Sequence, residues 1–343
     1  IFYIHKITHM IISFFKTNVK ERVLSLFFSI MVVVMYMKVI DLTPRGYCHG
    51  VLNALAIVKK VIKNESYPRP IYVLGQIVHN SKITKAFETY GVISLDVPGK
   101  TRLELIEQVD FGTVIFTAHG ISDQVIERAK EKGLTYLNAT CRDVYRVHKA
   151  VKDHLEKGYE IIYIGHRNHP EPEAILAIDP NIYFVEDEKD ALLLPNRLKD
   201  QQVFVTNQTT LSLYDIESVL KIIESKYPNY LFDNEICHAT TVRQDAVKTQ
   251  EPVDLMLVVG DQKSSNSNKL AYVGQKAKQI PSYLISGVED IDLKWLESIE
   301  SVSVTSGAST PTAVTEEVIT FLKQYKKDDP TTWDHQSKLE LLD

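Results

Sequence analysis

Between residues 38 and 325 short apolar runs alternate with longer stretches whose apolar positions recur every three to four residues. The runs include IYVLG, TVIFTAHG, EIIYIGH, QVFVTNQ, DLMLVVG and SVSVTSG, and the intervening segments include HGVLNALAIVKKVI, CRDVYRVHKAVKDHLEKG and TEEVITFLKQYKK. The first pattern predicts strands and the second amphipathic helices. Their alternation is the strand–helix pattern of parallel sheets, so the fold class expected is α/β.

The pattern also repeats on a larger scale. Cys48, Cys141 and Cys237 follow one another at nearly equal intervals. After each cysteine a strand runs into a polar loop, which carries His79 in the first repeat, His169 in the second and Asn266 in the third, at closely similar distances from the cysteine. A second loop follows in each repeat: TAHGIS carries His119, TNQTTLS carries Thr209 and TSGASTP carries Ser309, again at matching offsets. Ligands of parallel α/β sheets sit beyond the carboxyl ends of the strands. The expectation is therefore three similar parallel-sheet α/β units in pseudo-threefold symmetry around a central cavity. The units fall at 37–140, 141–236 and 237–326, followed by an acidic tail at 327–343.

Composition narrows the function classes. With 44% hydrophobic and 24% charged residues, 14 Gly and 13 Pro, the chain of 343 residues reads as globular rather than disordered. A net charge of −5 leaves no broad basic face for a nucleic-acid backbone. Three cysteines that cannot all pair internally favour a reducing compartment, here the cytoplasm. Residues 1–36 stand apart, with Lys6, Lys16, Lys20 and Arg22 against the single acid Glu21, and an uncharged apolar run from Val23 to Met37. That run is shorter than the roughly 17–25 residues of a membrane span and lacks a signal-peptide cleavage pattern. It is expected to be an extension outside the functional fold, with a membrane anchor as the competing reading.

Each cysteine lies at a strand-to-helix transition, in PRGYCHGVLNAL, NATCRDVYRV and EICHATTVRQ. Thiolates are favoured near helix N-termini and are soft ligands, suited to an iron–sulfur cluster or to zinc. Spacing alone leaves both open, because no CxxC pair is present. Ser264, Ser265, Asn266, Ser309, His79 and His119 supply hydroxyl, amide and imidazole groups for phosphate oxygens, with helix N-termini behind SSNSNKLAYV and STPTAVTEEV. Neither GxxxxGK[ST] nor a GxGxxG after a strand occurs, so nucleotide binding has no support. Glu171, beside His169 and flanked by Pro170 and Pro172, is a carboxylate on a constrained backbone, a candidate for proton transfer.

In PRGYCHGV, VHN, TAHG, ATC, NHPEPE, NQTTLS, EICHATTVRQ, SSNSN and GASTP, in that order, the sequence resembles the IspH/LytB family of 4-hydroxy-3-methylbut-2-enyl diphosphate reductases. The resemblance covers residues 38–325. It implies that Cys48, Cys141 and Cys237 hold one 4Fe-4S cluster per chain, with one iron open to the substrate hydroxyl. It further implies that His79, His119, His169, Thr209, Ser264, Ser265, Asn266 and Ser309 bind the substrate, and that Glu171, Thr209 and His169 are catalytic. The implied reaction is reductive dehydroxylation to isopentenyl and dimethylallyl diphosphates, the last step of the non-mevalonate pathway, with ferredoxin or flavodoxin as electron donor. One departure is Arg142 after Cys141, where the family commonly has proline. The residues alone are also compatible with a cluster-dependent dehydratase, or with a non-catalytic iron–sulfur sensor, which would need neither Glu171 nor the anion-binding ring.

Overall fold

The computed structural model describes residues 37–337 and 339. The apolar extension expected at 1–36 lies outside the described residues. The chain enters with β1 (Lys38–Asp41) and then runs through three repeats of alternating helix and strand. In the first, α1 (His49–Lys63), β2 (Ile71–Leu74), α2 (Ser81–Glu88), β3 (Val92–Leu95), α3 (Arg102–Ile106), β4 (Thr113–Phe116), α4 (Asp123–Glu131) and β5 (Thr135–Asn138) follow in turn. The second has the same order: α5 (Arg142–Glu156), β6 (Glu160–Ile164), α6 (Pro170–Leu176), β7 (Tyr183–Val185), α7 (Glu188–Leu193), β8 (Val203–Asn207), α8 (Leu213–Lys226) and β9 (Leu231–Asp233). The third comprises α9 (His238–Thr249), β10 (Leu255–Val259), α10 (Ser265–Lys278), β11 (Ser282–Ile285), β12 (Ser301–Ser306) and α11 (Thr312–Gln324).

The strands form three four-stranded sheets, ordered β3-β2-β4-β5, β7-β6-β8-β9 and β11-β10-β12-β1, with every pairing parallel. The α/β, three-unit fold read from the repeat is thus the architecture of the chain. Sheet membership departs from boundaries drawn at the cysteines. β1, expected within the first unit, pairs with β12 in the register Lys38↔Ser301 to Asp41↔Val304 and completes the third sheet. The physical reason is the repeat itself: β5 and β9 are the edge strands that precede Cys141 and Cys237, and β1 is their counterpart before Cys48. The tail is also tied down, because Trp333 packs on the third core and its indole N–H donates to the Lys326 carbonyl at 2.9 Å.

Central strands are buried along nearly their whole length because helices cover both faces, even where β8 and β12 carry polar residues. β4 and β10 are buried at every position. α1 presents Val51, Ala54, Leu55, Val58 and Val61 at helical spacing to Ile71, Val73 and Ile115 of the first sheet. Burying each Val, Leu or Ile side chain of this set contributes roughly 1.5–3 kcal/mol before conformational entropy is counted. Among the described residues no helix is long and apolar enough to cross a membrane.

Candidate active site

The three cysteines occupy one structural position three times. Cys48, Cys141 and Cys237 are the residues preceding α1, α5 and α9, in extended conformation and without a side-chain capping bond. Their backbone N–H groups donate to the carbonyls of Ala308 at 3.0 Å, Ala118 at 2.9 Å and Thr209 at 3.0 Å. Those acceptors lie in GASTP, TAHG and NQTT, the second polar loop of each repeat. A neighbouring strand-end loop therefore anchors each cysteine, which is how residues a whole repeat apart come to face one pocket. Gly50 permits the close approach: a Cβ there would stand 2.6 Å from Cys141 Sγ.

Burial pushes the Cys237 thiol up to about 11 and raises that of Cys141. Such thiols are protonated and poor nucleophiles near neutral pH, and become thiolates when a metal centre compensates the charge. A cation already waits behind them. Arg243 is 5% exposed, its guanidinium donates to the carbonyls of Ala239 and Gly46 at 2.7 Å, and its Nε is buried without a partner. Among the described residues it meets no carboxylate, so its countercharge has to come from the thiol side of Cys48 and Cys237.

Opposite lies the acid. Pro170 opens α6 and His169 caps it, Nδ1 accepting the Glu171 N–H at 3.2 Å. This turn directs Glu171 inward to 1% exposure rather than into solvent. Its Oε1 accepts the Thr209 N–H at 2.9 Å and the Tyr163 hydroxyl at 3.2 Å, while Oε2 accepts Thr209 Oγ1 at 2.8 Å. Burial raises the carboxyl to about 7 against the opposing pull of these donors. An acid half-ionised near neutrality can deliver a proton and take one back.

The remaining wall is polar. The rings of His79 and His119 stack at 4.0 Å between centroids, and His169 lies 5.2 and 5.6 Å from them. Burial pulls His79 down to about 4 and holds the other two well below the usual imidazole range. The trio is neutral when free, and a bound anion would favour its protonated forms. Both ring nitrogens of His79, Nε2 of His169 and Nδ2 of Asn266 are buried without partners. Buried orphan donors are costly, so their convergence points to a polar ligand. Ser264 caps α10, and Ser265 and Asn266 form its first turn, adding backbone N–H donors. Ser309 Oγ donates to the His79 carbonyl at 3.0 Å, tying the third unit to the first.

One cavity of about 90 Å³ is lined by Cys48, Cys141, Cys237, His79, His119, His169, Glu171, Thr209, Ser264, Ser265, Asn266 and Ser309. Every site residue expected from the sequence is thus in the same place. Thr210 and Thr240 were missed, although both lie in motifs that were read, NQTTLS and EICHATTVRQ. Thr240 Oγ1 accepts from the Cys237 thiol and donates to Asn266 Oδ1, each at 3.2 Å. Tyr163 was also missed, since within EIIYI nothing distinguishes a phenol from a core ring.

Fold and site define a class: α/β proteins of three repeated units whose strand-end loops enclose thiols, a buried acid and a wall of imidazole, hydroxyl and amide groups. The family model described as LytB protein matches residues 39–323. A 4-hydroxy-3-methylbut-2-enyl diphosphate reductase of Bacillus mycoides is 48% identical over 306 residues, covering 89% of this chain and 96% of that protein. The protein of the same name from Bacillus cereus (strain B4264) matches equally well, at 48% over the same length. Among solved structures, the E-1-hydroxy-2-methyl-but-2-enyl-4-diphosphate reductase from Plasmodium falciparum is similar with a TM-score of 0.77 and 32% identity, over 89% of this chain and 93% of its own. The chain belongs to the LytB family.

Proposed function

We infer that the protein is a 4-hydroxy-3-methylbut-2-enyl diphosphate reductase, which removes the allylic hydroxyl as water with two electrons and two protons. The observation that carries this reading is the single pocket in which three thiols, an acid near neutrality and unpaired anion donors meet. Cys48, Cys141 and Cys237 would hold a 4Fe-4S cluster with one iron lacking a protein ligand. The uncompensated Arg243 fits such an anionic assembly. When bound, the cluster supplies electrons and Lewis acidity at the substrate hydroxyl.

This chain's own residues do the rest. His79, His119, His169, Ser264, Ser265, Asn266 and Ser309 hold the diphosphate, while Glu171 keeps a proton and passes it through the Thr209 hydroxyl towards the leaving oxygen. The electrons come from a separate carrier such as ferredoxin or flavodoxin, reaching the thiols past the exposed residues His49, Arg142 and His238 that directly follow them. Three unpaired cysteines support a reducing compartment such as the cytoplasm.

The deciding experiment is anaerobic purification with iron and sulfide analysis, where about four of each per chain are expected. Stoichiometric zinc without sulfide would overturn the assignment. A second expected result concerns the anion wall. Asn266→Ala removes a buried donor without a protein partner, so substrate binding weakens by about 5–150-fold, equivalent to about 1–3 kcal/mol, with kcat largely kept. Calorimetric titration with substrate reads the first quantity and steady-state kinetics the second; unchanged affinity would take Asn266 out of the diphosphate site.

A further inference from the structure

Three donors converge on the Glu171 carboxyl, and they divide unequally between its oxygens. Oε1 receives the Thr209 N–H and the Tyr163 phenol, whereas Oε2 meets, among the described residues, the Thr209 hydroxyl alone. A backbone N–H cannot become an acceptor. Tyr163 lies on β6 with no exposed surface, and burial together with the Glu171 charge keeps its phenol protonated, well above the usual range. Both partners of Oε1 are therefore standing donors. Placing a proton on an oxygen that already accepts two would set like dipoles against one another and forfeit a buried hydrogen bond. The neutral acid carries its proton on Oε2, 2.8 Å from Thr209 Oγ1, and Thr209 lines the pocket.

We propose that Tyr163 is a positioning residue that confines the transferable proton of Glu171 to Oε2 and so directs its delivery through Thr209 into the pocket. This rests on the reading of Glu171 as the proton source. In the transfer, the O–H bond at Oε2 breaks as a new one forms at Thr209 Oγ1, and the threonine gives its own proton to the leaving oxygen. The carboxylate left behind keeps both Oε1 bonds, so it is ready to be recharged without turning. The titratable groups facing Glu171 are Tyr163 on β6, Glu235 before α9, whose charge opposes ionisation, and His169 at the start of α6 with His79 and His119 beyond it.

The test is Tyr163→Phe, which keeps the ring that fills the core and deletes the donor. The Glu171 carboxyl is titrated by isotope-edited infrared spectroscopy, with Glu171→Gln as the blank, and kcat of the cluster-loaded enzyme is followed over the same pH range. Loss of a donor to the carboxylate raises its pKa, so the midpoint moves up by about one pH unit. The alkaline limb of kcat moves with it, and the plateau falls about tenfold at unchanged KM. Site-specific 3-fluorotyrosine, a stronger donor of the same shape, shifts the midpoint down and serves if the Phe variant fails to fold. Coincident midpoints and profiles in parent and variants would reduce Tyr163 to a space-filling ring. A normal rate in Glu171→Gln would instead overturn the underlying reading of the acid, and the infrared midpoints tell the two failures apart.

Discussion

Cys237→Ser is expected to yield a folded protein that carries little or no iron and does not turn over. The exchange replaces a soft sulfur ligand with a hard oxygen that iron–sulfur coordination disfavours. It does so at a position where serine is otherwise the better residue. Cys237 precedes α9 without capping it, and a serine hydroxyl is among the preferred helix N-caps, worth about 0.5–2 kcal/mol over a non-capping residue. The same holds for Cys48 before α1 and Cys141 before α5. Stability of the metal-free variants should therefore equal or exceed that of the metal-free parent while cluster content collapses. Anaerobic iron and sulfide analysis, thermal unfolding and reductase assays check the three parts. A variant with full iron and normal turnover would remove that cysteine from the ligand set.

Glu171→Gln is expected to lower kcat by about 10²-fold or more with KM and cluster content close to normal. Gln keeps the volume and can still accept the Thr209 N–H and the Tyr163 hydroxyl on its carbonyl oxygen. What it cannot do is release a proton to Thr209. The same variant should gain stability in alkali. The folded-state value of about 7 lies above the ordinary 4.5, so the folded protein holds this proton more tightly than the unfolded chain does. The parent loses stability as pH rises from about 4.5 through about 7, by about 3 kcal/mol once both states are ionised. Glu171→Gln escapes that loss, so its advantage in denaturant melts appears at pH 8 and vanishes at pH 4. Equal turnover in variant and parent would return Glu171 to an orienting role. Equal pH dependence of stability would mean that the carboxyl is not held near neutrality at all.

Much of this site was legible because it repeats. Cys48, Cys141 and Cys237 recur at nearly constant intervals, and the loops carrying His79, His169 and Asn266, then His119, Thr209 and Ser309, recur at matching distances from them. Strand-end loops of parallel sheets gather on one side. A linear repeat therefore already implies a shared pocket, and the apolar runs between the loops imply the sheets. Tyr163 left no such trace, since its neighbours Ile161, Ile162 and Ile164 make position 163 look like any core residue of a central strand.

The sequence by itself determined the fold class, the threefold repeat and the chemical types brought to the pocket, because these follow from periodicity and local spacing. Tertiary structure alone decided which charges and protons those groups carry. Glu171 stands out in the sequence as a candidate acid, but only α6 turns it inward, and desolvation then brings it near neutrality. His79, His119 and His169 lie on loops far apart in the chain, and the burial that comes with packing them together holds them neutral. β1 joins the third sheet by pairing with β12, the last strand of the chain's described residues, with the whole of the first two units between them. Burial, register and hydrogen-bond partners at such separations are properties of the packed chain, and no local window of residues contains them.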